Sequence, residues 1–401
     1  MTDGLLMKAP TEWTRTTLGE ACSRGQGGIQ TGPFGSQLHA SDYVSEGIPS
    51  VMPQDIGDNV IRDAEIARIS PADAERLSKY LLREGDIVYS RRGDVGRRAL
   101  VRAEQDGWLC GTGCLRVRPG KKMDAVFLAY YLGHPEVREW IVRHAVGATM
   151  PNLNTQILGA VPLVLPSLVE QKAIGGVLGA LDDKIAVNER IAVTADKLAK
   201  AVFHGYGKYT SRQLSDVADI TMGQSPPGET YNEVGEGLPF YQGTRDFGMR
   251  YPQRRVWCTA VTRRATENDV LVSVRAPVGH INVAIEECGI GRGLAAVRSN
   301  AYPHVLLYAL SSDSSIWHPY EAEGTVFGSI NKKQLSRLVV HWPDGEQIDA
   351  LESRLKALDN SVRQATDESR TLATLRDALL PQLISGRLRV RDAEKIVEDA
   401  T

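Results

Sequence analysis

The segment Ser90–Arg98 (SRRGDVGRR) packs four arginines, Arg91, Arg92, Arg97 and Arg98, into a glycine-containing loop. Guanidinium groups match phosphates and the O6/N7 edge of guanine, so the chemistry suggested is recognition of nucleic acid rather than bond making. A second segment, Ser273–His280 (SVRAPVGH), keeps Ser273, Arg275 and the basic-capable His280. An exposed hairpin is the ordinary alternative for one such loop; recurrence of Ser and Arg at the same place favours contact. Two further pairs of loops have suitable side chains. Thr31–Gln37 (TGPFGSQ, with Phe34 and Ser36) stands against Gln224–Gly228 (QSPPG, with Ser225), and Gln37 and Gln224 suit paired amide bonds to adenine. Thr149–Asn154, with Asn152 and Asn154, stands against Val326–Lys333, with Ser329, Asn331 and Lys332. Gln54 and Asp55, and Gln242, Thr244 and Arg245, complete the candidate DNA contacts. Taken singly, the Thr31, Gln224, Thr149 and Val326 loops fit ordinary surface turns equally well.

Bond-making chemistry finds little support. The chain has no GxxxxGK[ST] phosphate loop, no HExxH and no GxGxxG between a strand and a helix. The nearest approach, Gly289–Gly293 (GIGRG), lies between β-like runs and reads as a tight turn. Neither the Asn-Pro-Pro-aromatic segment of adenine methyltransferases nor a nuclease-type acid cluster is present, and the eight histidines are dispersed. An enzyme written twice should show its site twice; what recurs here is Ser, Arg, Gly and Asn.

The elements that must carry these loops follow from an internal repeat. Glu84–Gly96 (EGDIVYSRRGDVG) aligns with Glu267–Gly279 (ENDVLVSVRAPVG), with six of thirteen positions identical. Further matches follow in order: Gly113 with Gly293, Val117 with Val297, Arg118 with Arg298, Asn154 with Asn331, Leu158 with Leu335 and Pro166 with Pro343. Two homologous halves are implied. In each, short β-branched runs ending near Gly, with short helical patches at Tyr130–Leu132 and Val305–Leu310, predict a mixed α/β globule.

Each globule is followed by a helical stretch. Ile174, Leu178, Leu181, Ile185, Ala192, Ala195, Ala199 and Val202 form one stripe; Ile348, Leu351, Leu355, Leu358, Val362, Ala365, Leu372 and Leu379 form another. Ser167 with Glu170, and Asp344 with Gln347, have capping-box spacing at the two starts. A helix of about 36 residues spans roughly 54 Å and needs a partner along its length, the nearest being its copy. Packing of each helix on its own globule is the alternative. Asn188 and Ser369 fall where apolar residues are due, either fixing register or facing solvent on an imperfect seam. The expected fold is α/β (α+β) recognition domains in tandem repeat, separated by two long antiparallel coiled-coil helices. The divisions are 1–165 and 208–342 for the domains, 166–207 and 343–390 for the helices, and 391–401 for a C-terminal tail.

Composition bounds this reading. The 401 residues carry a formal net charge of −2, with 42% hydrophobic and 24% charged residues, so positive charge must be concentrated locally if DNA is bound. Five scattered cysteines point to a reducing compartment with buried or free thiols, and zinc is disfavoured because Cys110 and Cys114 lack a second ligand pair. Neither a leader-like segment nor a long apolar run is seen, so a cytoplasmic protein away from membranes is expected.

With these features in place, the chain resembles the specificity subunit of type I restriction–modification systems over nearly its whole length. TGPFGSQLHASDYVSEGIP (31–49) and GQSPPGETYNEVGEGLPF (223–240) resemble the openings of two subtypes of that family's target-recognition domain. GDIVYSRRGDVG and NDVLVSVRAPVG resemble its central motif; LPSLVEQKAI (165–174) and LLPQLISGRLRV (379–390) resemble the start of one spacer helix and the end of the other. The resemblance implies a non-catalytic subunit of an adenine-N6 methyltransferase/endonuclease complex, each domain reading one half of a bipartite site in double-stranded DNA. The helices would set the unread gap and dock two methyltransferase subunits, through Gln171, Ile174, Leu178, Leu181, Ile185, Gln347, Leu351, Leu355, Leu358 and Val362. Two motor-nuclease subunits can join. S-adenosylmethionine, Mg and ATP would belong to those partners, with no cofactor or metal in this chain. The segment WPDGEQIDAL (342–351) departs from the family pattern by lacking a second Pro-Leu pair. Rival readings are a modification-only system, a protein-binding adaptor, and an enzyme with an unrecognised site.

Overall fold

The computed structural model describes residues 9–147, 151–321 and 328–400. It divides into unit 1 (Met1–Val187 with Glu368–Thr401) and unit 2 (Asn188–Asp367). The parts of the predicted loops at Thr149–Met150 and Val326–Phe327 lie outside the described residues.

In unit 1 the strands are β1 (Thr14–Thr17), β2 (Gly28–Thr31), β3 (Tyr43–Val44), β4 (Ile48–Val51), β5 (Asp58–Asn59), β6 (Arg68–Ile69), β7 (Ile87–Ser90), β8 (Arg98–Leu100), β9 (Leu109–Cys110), β10 (Cys114–Arg118) and β11 (Pro162–Leu165). Helices α1 (Leu18–Arg24), α2 (Pro71–Arg76), α3 (Ala125–Gly133), α4 (Pro135–His144) and α5 (Thr155–Gly159) are interleaved, and α6 (Leu168–His204) follows. The strands form a sheet β2-β10-β7-β8-β5, a second sheet β3-β6-β4-β9 and a ribbon β1-β11. Every side chain of β7 is buried, which is why its sequence IVYS runs apolar without alternating: both faces are covered.

Unit 2 repeats the plan. Its strands are β12 (Tyr209–Gln213), β13 (Asp219–Met222), β14 (Tyr231–Asn232), β15 (Leu238–Tyr241), β16 (Trp257–Cys258), β17 (Arg264–Ala265), β18 (Val270–Ser273), β19 (Ile281–Val283), β20 (Cys288–Ile290), β21 (Leu294–Arg298) and β22 (Val339–Pro343). Its short helices are α7 (Leu214–Val217), α8 (Pro303–Ser311) and α9 (Lys332–Ser336). The order β13-β21-β18-β19 reproduces β2-β10-β7-β8, and the ribbon β12-β22 reproduces β1-β11. The repeated residues explain themselves physically. Asp86, 1% exposed, accepts both guanidinium nitrogens of Arg118 at 2.7 and 2.6 Å; Asp269, 2% exposed, accepts those of Arg298 at 2.7 and 2.7 Å. Each pair ties the loop before the central strand to the end of its neighbour.

Two helices, α10 (Ile348–Ile384) and α11 (Val390–Ala400), complete the chain, so the segment expected as a tail is helical and buries Ala393 in unit 1. In unit 1, Ile174, Leu178 and Leu181 of α6 join Leu372, Leu379 and Leu383 of α10 in one core with Phe127 and Leu128 of α3. Asp182 bonds Arg376 at 2.6 Å and Lys184 pairs with Glu368 at 3.3 Å, so the two helices run antiparallel. In unit 2, Ala192, Ala195 and Ala199 meet Leu351, Leu355 and Val362, again over the short helix α8. Arg250 pairs with both Asp196 of α6 and Asp359 of α10. The two packing modes weighed from sequence therefore coexist: each stripe covers both the partner helix and the globule.

Most of the expected partner-docking positions lie within this shared packing. Ile174, Leu178, Leu181, Leu351, Leu355 and Val362 are buried inside their own units. Gln171, 2% exposed, donates to Pro166 O at 2.9 Å and accepts from Asp124 N at 3.0 Å. Ile185 and Leu358 are half-buried, and Gln347 is exposed. Apolar periodicity marks a buried face without saying what buries it. The cap at α6 is present, Ser167 Oγ accepting from Glu170 N at 3.3 Å. Helix α10 starts at Ile348 with Gln347 at its N-cap, Leu351 N donating to Gln347 O at 3.0 Å, so Asp344 lies three residues before the cap. Asn188 is 1% exposed, within the seam. Ser369 Oγ is buried there without a hydrogen-bond partner among the described residues.

Candidate nucleic-acid interface

Four loops meet at one end of the central sheet in each unit, joined by the same backbone bonds. In unit 1, Gly32 N donates to Cys114 O (2.9 Å), Gly111 N to Val51 O (2.9 Å), Arg91 N to Gly113 O (2.8 Å) and Leu153 N to Arg91 O (2.8 Å). In unit 2, Gly223 N donates to Leu294 O (2.9 Å), Gly291 N to Tyr241 O (2.8 Å), Val274 N to Gly293 O (2.9 Å) and Ile330 N to Val274 O (3.0 Å). The approach is too close for side chains. A Cβ at Gly32 would lie 2.1 Å from Gly111 O, and one at Gly223 would lie 2.0 Å from Gly291 O. Glycine is required there by backbone contact.

On this frame the repeated polar residues separate into two kinds. Ser90 and Ser273 are buried at 2% and 1%; Ser90 Oγ donates to Arg92 O at 2.8 Å, and Ser273 Oγ donates to Pro277 O at 2.6 Å while accepting from His280 N at 2.9 Å. They close the arginine loop and are not available to DNA. Asn154 and Asn331 are helix caps, accepting from Ile157 N at 2.8 Å and Gln334 N at 3.0 Å. Asn154→Ala is accordingly expected to lower stability by about 1 kcal/mol, measured by denaturant unfolding, and to leave DNA affinity of the folded protein unchanged. Arg92 and Arg275 are the other kind: both side chains are exposed, while their backbones bridge to Asn152 and Ser329.

Several other predicted contact residues are buried or have an internal partner. Arg98 is 4% exposed and donates to Ala129 O and Asp58 Oδ1, each at 2.7 Å, so it braces the sheet rather than facing solvent. Asp55, 7% exposed, accepts from Met52 N at 2.8 Å and closes a one-turn 3-10 helix, Pro53–Asp55. Gln37 Oε1 is held by Phe34 N at 3.2 Å and Tyr80 Oη at 2.9 Å. Arg91 Nε reaches Asn152 Oδ1 at 3.3 Å and its guanidinium lies over the Phe34 ring at 5.8 Å. Arg97 pairs with Asp94 at 3.0 Å but stays exposed. Phe34, Ser36, Gln54, Gln224, Gln242, Arg245, His280, Ser329 and Lys332 are exposed; Thr31, Ser225 and Thr244 are half-buried.

In unit 2 these loops enclose an open cleft of about 720 Å³. Four arginines line it, Arg245, Arg255, Arg275 and Arg292, together with Ser225, Gln242 and Thr244. Sequence reasoning missed Arg255 and Arg292. Arg292 belongs to the GIGRG segment read as a tight turn; it is a turn, with Leu294 N bonded to Gly291 O at 3.0 Å, and its function in the frame is to hold Arg292 out at the cleft. The pair Arg254-Arg255 was the available signal for the other. Acids near the cleft are partly committed: Asp246, 7% exposed, accepts from Gln242 N at 2.8 Å. The arrangement offers guanidinium groups and amides to an anionic, hydrogen-bonding ligand.

The cysteine thiols are poorly placed for nucleophilic chemistry. All five cysteines are free and buried, and burial pushes the Cys22, Cys110 and Cys288 thiols up to about 12. Among the described residues no group of three or more His, Cys, Asp or Glu is placed to hold a metal ion, and no helix is long and apolar enough to cross a membrane.

Residues 39–194 match the type I restriction modification DNA specificity domain. Over 376 residues the chain is 30% identical to the type I restriction enzyme MjaX specificity subunit of Methanocaldococcus jannaschii, covering 86% of this chain and 88% of that protein. The chain belongs to the type I restriction enzyme specificity subunits. The HindI specificity subunit of Haemophilus influenzae is similar over a shorter stretch, 26% identical across 156 residues, covering 38% of this chain and 34% of that one. The fold is that of the type I restriction–modification S subunit from M. genitalium, with a TM-score of 0.62 at 16% identity over 94% of this chain and 98% of that one. Specificity subunits are a non-catalytic family, so this chain is not itself an enzyme.

Proposed function

We propose that this specificity subunit reads a bipartite DNA target, each unit contacting one half-site through its four-loop frame. The observation that carries the reading is the duplication of that frame, bond for bond, with an exposed arginine at the same place in each copy, Arg92 and Arg275. A frame closed by backbone bonds and buried serines holds its exposed side chains in place before binding, as base readout demands. The arginines anchor phosphates or guanines, and the exposed amides Gln54, Gln224 and Gln242 supply further base contacts.

In this reading α6 and α10 set the unread gap between half-sites and carry two methyltransferase subunits of adenine-N6 type. Because the seam residues are buried internally, docking falls to the outward side of α6. Leu168, Val169 and Val187 are exposed at 37, 79 and 44% in unit 1, and Ile191, Val193 and Leu198 at 45, 42 and 51% in unit 2. Apolar side chains left in water on a helix whose opposite face is buried suit a protein partner. S-adenosylmethionine belongs to the methyltransferase subunits; ATP and Mg belong to motor-nuclease subunits where these join.

The test is methylation mapping of DNA in cells that express this chain with its neighbouring methyltransferase. A motif of two half-sites around a fixed gap is expected. Arg92→Ala should weaken selection of one half and Arg275→Ala of the other. A continuous motif, or both variants impairing the same half, would overturn the assignment of one unit to one half-site.

A further inference from the structure

Two copies of one frame that read different half-sites can be compared most directly at a position where both present a different side chain to solvent. Arg92 and Arg275 are alike, so they cannot make the difference. At the turn after β9 and β20, Thr112 buries its Oγ1 whereas Arg292 is exposed, so only one copy offers a group. Met52 is half-buried and accepts from Tyr43 Oη at 3.7 Å, whereas its counterpart Gln242 is exposed. The one-turn 3-10 helix behind β4 and β15 is different. It comprises Pro53–Asp55 in unit 1 and Thr244–Asp246 in unit 2, and its middle residue is Gln54 in one and Arg245 in the other. Both are exposed, and among the described residues neither side chain is held by a hydrogen bond or ion pair.

The backbone beneath them is pinned by a buried aspartate in both copies, the turn of unit 2 carrying one more residue, Gly243, between the anchored N–H and the aspartate. Asp55 N donates to Met52 O at 3.0 Å and Met52 N to Asp55 Oδ2 at 2.8 Å; Asp246 N donates to Gly243 O at 3.1 Å and Gln242 N to Asp246 Oδ2 at 2.8 Å. Asp55 and Asp246 are each 7% exposed. The turn also touches the glycine turn beside the arginine loop: a Cβ at Gly113 would lie 3.2 Å from Pro53 Cγ, and one at Gly293 would lie 2.3 Å from Gln242 O. Arg245 lines the same cleft as Arg275. A free hydrogen-bonding side chain on a fixed base next to the arginine loop is what base readout requires.

We infer that Gln54 and Arg245 are equivalent specificity-determining residues that give the two half-sites different letters. Gln54 makes the paired amide contact to an adenine in the half-site of unit 1, and Arg245 the forked contact to a guanine in that of unit 2. This rests on the bipartite reading proposed above.

The experiment compares the wild-type chain, Gln54→Arg, Arg245→Gln and Arg245→Lys, each assembled with its methyltransferase subunits. Methylation is mapped in cells, and binding competition is measured with duplexes varied one base pair at a time. Arg245→Gln is expected to lower preference for G·C at a single position of one half-site by at least about tenfold and raise A·T there; Gln54→Arg is expected to do the reverse at one position of the other half-site. Arg245→Lys keeps the charge but loses the fork, and should lose discrimination at that same position. Should wild type show a bipartite motif while these variants keep every positional preference within about twofold, the assignment of Gln54 and Arg245 is wrong and the bipartite reading stands. A variant too poorly modified to map is decided by competition binding of the assembled complex, where unchanged relative preferences overturn the inference. If wild type shows no bipartite motif, the underlying reading fails first.

Discussion

Replacing Asp86 by alanine is expected to destabilise unit 1 by about 3 kcal/mol, because one buried carboxylate organises several donors at once. Asp86 is 1% exposed and accepts the bidentate Arg118 fork and, at 2.8 Å, the backbone N–H of Arg83. Its removal strands that N–H and leaves the Arg118 guanidinium without its counter-charge. Arg118 is 25% exposed, so water recovers part of the loss, which places the effect at the lower end for a broken buried pair. Asp269→Ala should cost less, about 2 kcal/mol, since Arg298 is 41% exposed and can rehydrate further. Denaturant unfolding gives the magnitudes, and faster amide exchange along β7 and β10, or along β18 and β21, gives the location. A change under about 0.5 kcal/mol in both variants would show that these ion pairs are dispensable to the central sheets.

The second large effect concerns DNA. The double variant Arg275→Ala/Arg292→Ala, assembled with its methyltransferase, is expected to bind DNA about a hundredfold more weakly at moderate salt. The slope of log affinity against log salt should become shallower by up to about 1.8, at roughly 0.9 for each phosphate that is no longer neutralised. Both side chains line the cleft in unit 2 and are exposed. Arg98→Ala is the informative contrast. It removes one positive charge rather than two, and from a side chain 4% exposed, so stability should fall and the salt slope of the folded complex should stay put. An unchanged slope in the double variant would remove the cleft from the DNA interface. A reduced slope in Arg98→Ala would mean that the arginine loop rearranges on binding.

The contrast between Arg98 and Arg92 shows where sequence reasoning reached its limit. Both lie in one basic loop six residues apart, and their residue type and local composition do not distinguish them. Arg98 begins β8 and turns inward toward Ala129 and Asp58, whereas Arg92 sits where the backbone leaves the sheet. Ser90 and Ser273 repeat because they close the loop, so recurrence marked a shared structural need as much as a shared contact. Arg292 is hidden in the sequence because the glycines around it announce a turn, and the direction in which a turn holds its side chain depends on the strands it joins.

The order of residues along the chain was enough to establish the duplication, the mixed α/β character of each half, the two long amphipathic helices and, through its motifs, the family. These properties live in spacing: short β-branched runs ending near glycine, three-to-four apolar repeats, glycines where backbones touch, and matched segments in matched order. Tertiary structure alone decided which arginines face outward, which polar repeats are caps and braces, and that the helix stripes are filled from within each unit. The reason is that burial belongs to the space between elements, and two side chains of identical type acquire opposite roles according to which neighbour reaches them first.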